Sequence, residues 1–61
     1  MQVRATELID DEGRVFAEPN EVGEVFDAET YDDGARALTV LFPRAPCVTT
    51  VFLGINVEVM H

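Results

Sequence analysis

Any chemistry in this chain would come from one cysteine, one histidine and a crowd of carboxylates. Cys47 follows Pro46 in a turn-rich stretch, and a thiol there is reactive only if nearby positive charge lowers its pKa. Arg44 is the one cation close to it in sequence. His61 stands at the end of the sequence, where chains fray. Serine is absent, which removes a serine nucleophile. Catalysis needs a positioned acid–base or nucleophile pair, and no spacing here suggests one, so no enzyme activity and no cofactor are expected. The acidic runs Asp10-Asp11-Glu12 and Asp27-x-Glu29-x-x-Asp32-Asp33-Gly34 could offer oxygen ligands to a hard cation. Neither has the Asp-x-Asp-x-Asp-Gly spacing of a calcium loop. They read as solvated turns, and no metal site is expected. Pro43-Arg44-Ala45-Pro46 fits the Pro-x-x-Pro pattern of proline-motif ligands, but inside so small a domain it reads as a rigid link between strands.

The elements that would carry these residues are short and extended. Sixty-one residues make a single domain, residues 1–61, and a core this small leaves much of the chain exposed. Val3 and Ala5, with Leu8 beyond them, mark a first strand whose other face is Gln2, Arg4 and Thr6. Asp10-Asp11-Glu12-Gly13 reads as a loop, and Arg14 to Ala17 as a short extended piece. Pro19-Asn20, followed by Gly23 between two valines, reads as a tight turn feeding a strand, with glycine supplying backbone freedom. From Glu24 to Glu29 the register is ambiguous. Strict alternation with Val25 inward would bury Asp27 and Glu29, and with Phe26 inward it would expel Val25. A bulge or strong twist resolves the conflict.

Thr30 to Gly34 is a turn by composition, and Asp-Gly is a hairpin signal. Leu38, Val40 and Phe42 form the inward set of the next strand, leaving Thr39 and Leu41 outward. Pro43 and Pro46 interrupt it, Val48 to Phe52 restarts it, and Leu53-Gly54-Ile55-Asn56 suits a single 3₁₀ turn before Val57 and Val59. Phe16, Phe26, Tyr31, Phe42 and Phe52 read first as core. Helix competes poorly, since the best window contains Gly23 and β-branched residues. Five short strands without a long helix leave open edges unless they close into a barrel.

This order of elements, with the stretches Glu21-Val22-Gly23-x-Val25, Leu38-Thr39-Val40-x-Phe42 and Val57-Glu58-Val59, resembles the small SH3-like barrels. Within that class it is most similar to the ferredoxin-docking accessory protein of photosystem I, the variable chain of ferredoxin–thioredoxin reductase and NifZ-type nitrogen-fixation accessory proteins. The resemblance implies a five-stranded all-β barrel that packs on a larger protein and does no catalysis. The photosystem protein helps to dock acidic ferredoxin through basic residues, whereas this chain carries acid.

Charge bears on the partner. Twelve acidic residues oppose four arginines and no lysine, for a formal net charge of −8, and every acid except Glu58 lies between Glu7 and Asp33. Nucleic-acid backbone and anionic membranes are disfavoured partners, because both are bound through Lys and Arg. A lone cysteine, with no signal peptide or membrane-spanning apolar run, fits a cytoplasmic setting. The expected function is an interaction module, an accessory subunit or adaptor whose partner is another protein, one with a basic surface included. The expected face combines Phe26, Tyr31 and Leu41 with Asp32 and Asp33 at its rim. Self-association through open edges and Leu41 is a further option. The alternative is an acidic inhibitor that occupies the basic groove of a nucleic-acid-binding protein.

Overall fold

The computed structural model describes residues 1–60, and His61 lies outside the described residues. The strands are β1 (Gln2–Ala5), β2 (Ile9–Asp11), β3 (Arg14–Ala17), β4 (Val22–Thr30), β5 (Arg36–Leu41), β6 (Thr49–Phe52) and β7 (Val57–Val59). They form a five-stranded antiparallel sheet in the order β6-β5-β4-β1-β7 and a separate β2-β3 hairpin. The all-β expectation holds.

The alternation read in β1 and β5 is the alternation observed. Val3 and Ala5 are buried, as are Leu38 and Val40 with Phe42 just beyond, while Leu41 faces out. Burying one such side chain contributes roughly 1.5–3 kcal/mol, so the inward set decides the register. Leu8 is a correction: it is exposed, and Ile9 takes the buried place. A second correction concerns Asp10 to Gly13. Asp10 and Asp11 pair with Val15 and Arg14, and the Glu12-Gly13 corner has positive φ at both residues (51° and 80°). That is a type I′ hairpin turn, whose twist matches the flanking strands. The hairpin folds Ile9, Phe16 and Ala17 onto the core.

Gly23 is a third correction. The turn preceding β4 is Glu18-Pro19-Asn20-Glu21, closed by the Glu21 N–H donating to the Glu18 carbonyl at 3.1 Å, with Asn20 at φ 77°. Proline second and a left-handed residue third make this a type II turn. Gly23 lies inside β4, opposite Val3. A Cβ there would stand 2.5 Å from Val40 Cγ1 and 2.8 Å from Phe42 Cδ1. Its value is the absent side chain, which lets Val40 of β5 and Phe42 just beyond it lie against the β4 backbone.

The Leu53–Asn56 link is a hydrogen-bonded turn, not a 3₁₀ turn: Gly54 sits at φ 85°, outside the 3₁₀ region. The Ile55 and Asn56 N–H groups both donate to the Phe52 carbonyl at 3.0 Å, and the Gly54 N–H donates to the Val57 carbonyl at 2.9 Å. This short turn joins strands on opposite edges of the sheet. In a flat sheet those edges would lie about 19 Å apart at the usual strand spacing, so the sheet coils to bring them together. No ladder closes the coil among the described residues. Beyond one isolated bridge, Leu53 to Val57, the β6 and β7 edges stay unpaired with each other.

Candidate functional site

The expected partner residues lie on or beside the β4–β5 ladder. Glu24 pairs with Leu41, Val25 with Val40 and Asp27 with Thr39, so Phe26 is an extra residue with no partner on β5. This bulge answers the register question: Val25 packs against the core and Phe26 is turned out, 64% exposed. The Asp27 carboxylate accepts the Ala28 N–H at 2.9 Å beside the bulge. Phe26 and Leu41 therefore sit at one end of the ladder.

Tyr31, Asp32 and Asp33 sit at the other. The Tyr31 N–H donates to the Ala35 carbonyl and the Gly34 N–H to the Tyr31 carbonyl, enclosing Asp32-Asp33-Gly34 as a three-residue loop with Gly34 at φ 89°. The Asp33 carboxylate accepts the Ala35 N–H at 2.9 Å. Tyr31 meets Phe52 edge to face, with ring centroids 6.0 Å apart. Phe52 lies directly opposite Ala37, which is buried although its alternation points outward. Leu41 and Arg36 are five residues apart on β5, about 17 Å along a strand. The structure thus divides the expected face into an apolar end, Phe26 and Leu41, and an aromatic–acidic end, Tyr31 to Asp33. Reading Phe26 and Tyr31 as core is corrected, since both are exposed.

Ion pairs engage the N-terminal amine with Glu24, and also Arg4 and Arg44. Arg44 reaches Glu18 at 3.1 Å and is also bonded to Glu21, while Arg4 pairs with Glu58 across β1 and β7. The Arg44 guanidinium holds the Glu21 carboxyl below its ordinary value of 4.5, and Glu21 in turn raises Arg44. By contrast, Asp10, Asp11 and Glu12 on the hairpin, and Asp27, Glu29, Asp32 and Asp33 on the β4–β5 arm, join no ion pair among the described residues. They do not converge either: no three metal-ligating side chains come together among the described residues.

Two further features carry little signal in the sequence. Asn56 is a tie point. Its carbonyl accepts the Thr6 N–H at 2.7 Å, its Oδ1 accepts the Phe52 N–H at 3.0 Å, and its Nδ2 donates to Glu7 Oε2 at 3.3 Å. It fastens the start of the hairpin segment to the end of β6. Its only sequence signal is an asparagine two residues after a turn glycine. The second feature is a cleft of about 640 Å³ between β2 and β6, bordered by Glu7, Leu8, Asp10, Asp11, Val48 and Thr50. The exposed Cys47 stands at its rim. No family model, no curated protein and no solved structure matches this chain.

Proposed function

We propose that the chain is a non-catalytic protein-interaction module of SH3-like architecture, an accessory subunit or adaptor that docks on a larger protein. The architectural part is supported by the coiled five-stranded order, in which the first strand pairs with the last and a short turn spans the sheet edges. The functional part is carried by the bulge at Phe26. One inserted residue lets β4 keep Val25 in the core while presenting a phenylalanine to solvent, beside Leu41. Bulges re-aim side chains at functional edges, and buried aromatic anchors carry much of the energy of protein interfaces.

The test is affinity capture from native extract at low and high salt, with Phe26→Ser and Leu41→Thr as bait variants. Threonine is the better replacement at Leu41, because a glutamate there would face Glu24 across the ladder. A partner held at both salts by the parent chain should be lost with either variant while the melting temperature stays nearly unchanged. Retention by both variants removes this surface from the proposal.

A second reading has its own observation in the unpaired carboxylates of the hairpin and the β4–β5 arm. They suit an acidic protein that fills the basic groove of a nucleic-acid-binding partner. Capture that disappears at high salt and ignores Phe26 favours it.

A further inference from the structure

The cleft between β2 and β6 combines charge of one sign, apolar wall and open strand edge. Glu7, Asp10 and Asp11 border it, no cation does, and none of these three carboxylates is in an ion pair among the described residues. Asn56 holds Glu7 in place through its Nδ2. Leu8 and Val48, both about half exposed, supply apolar wall on opposite sides.

The backbone of each wall offers hydrogen-bonding groups. β6 is the outermost strand of its sheet. The Leu53 N–H bonds back to Arg36 on β5, whereas the Phe52 N–H turns away from β5 to reach Asn56 Oδ1. Backbone direction alternates along an antiparallel strand, so the Thr50 N–H and C=O also turn away from β5. On β2, Asp11 and Arg14 close the two-residue turn as a bonded pair, and Asp10 opposite Val15 therefore points its own N–H and C=O away from β3.

We propose that this cleft receives an extended segment of a partner protein, in which lysine or arginine alternates with apolar residues, added as a strand to the open edge of β6 at Thr50. Backbone bonds to Thr50 set the register. The alternating side chains then divide between the carboxylates of Glu7, Asp10 and Asp11 and the apolar wall of Leu8 and Val48. Charge complementarity selects a basic segment, because an acidic one would meet uncompensated repulsion. The proposal rests on the interaction-module reading but uses a different surface from Phe26, so each can fail alone.

The experiment is a titration of ¹⁵N-labelled protein with a short alternating Lys-Val peptide, followed by amide shifts. Three controls accompany it: the matching Glu-Val peptide, a Lys-Val peptide N-methylated at alternate residues, and Phe26→Ser protein. Shifts are expected at Leu8 to Asp11 and Val48 to Val51, unchanged by Phe26→Ser. Asp10→Asn with Asp11→Asn should weaken binding by about three- to tenfold. Thr50→Pro removes the outward N–H and leaves the β5 ladder intact, so it should cost about fivefold. If that variant does not fold, the N-methylated peptide still tests strand addition from the ligand side, and it should not bind. Equal binding of the N-methylated or the Glu-Val peptide would overturn the proposal. So would shifts confined to Phe26 and Leu41, no shifts at all, or concentration-dependent cleft shifts without peptide, which would make a second copy of this chain the occupant.

Discussion

At the scale of single residues, Gly23 shows how a glycine can be misread when its surroundings are unknown. Beside Pro19-Asn20 it looks like turn chemistry, yet the left-handed residue of that turn is Asn20. Gly23 leaves room for Val40 and Phe42, and both neighbours are fully buried core with nowhere to retreat. Gly23→Ala should therefore destabilise the fold by about 1–3 kcal/mol, the cost of overpacking a filled core. Denaturant unfolding measures it, and a neutral result would mean that β5 shifts freely. Glu21 carries a prediction in pH. Its folded pKa lies below the ordinary carboxylate value because Arg44 is bonded to it. The unfolded chain thus takes up this proton first, and the stabilisation is full above the ordinary value and lost as pH falls through the lowered one. The stability gap between the parent chain and Glu21→Gln should be present at neutral pH and close below about pH 4.5. A gap that persists into strong acid would assign the effect to packing instead of charge.

At the scale of elements, the bulge in β4 and the β2–β3 hairpin matter most. The conflict between Val25 and Phe26 was legible in the sequence, because alternation over Glu24 to Glu29 either buries Asp27 and Glu29 or expels Val25. Which side chain loses was not legible, since that depends on Val40 and Thr39 across the ladder. Deleting Phe26 leaves Val25 opposite Val40 and Asp27 opposite Thr39 with nothing between them. We expect a regular ladder, a melting temperature equal to or above that of the parent chain, and no partner capture. An unfolded deletion variant would show that the bulge is structural. The hairpin was harder to see because Glu12-Gly13 lacks the usual Asn-Gly or Asp-Gly signature of a type I′ turn, and Asp10 and Asp11 read as solvent.

At the scale of the whole molecule, charge and coil dominate. Ion pairs engage Arg4, Arg44 and the N-terminal amine, while Asp10 to Glu12 of the hairpin and Asp27, Glu29, Asp32 and Asp33 of the β4–β5 arm stand alone among the described residues. With a formal net charge of −8, self-repulsion should be relieved by screening, and added sodium chloride should raise the melting temperature. A flat or falling response would mean that the Arg44 and Arg4 pairs outweigh that repulsion.

The sequence by itself determined the all-β class, the inward set of β1 and β5, the acidic turn around Asp33 and the existence of a register problem near Phe26. These rest on alternation and turn chemistry, which are properties of adjacent residues. Tertiary structure alone decided that Gly23 serves packing, that Phe26 and Leu41 lie apart from Tyr31 and its aspartates, and that β2 and β6 border a cleft. Each of those outcomes depends on which distant backbone comes to lie alongside, and that is set by the coiling of the sheet as its core packs.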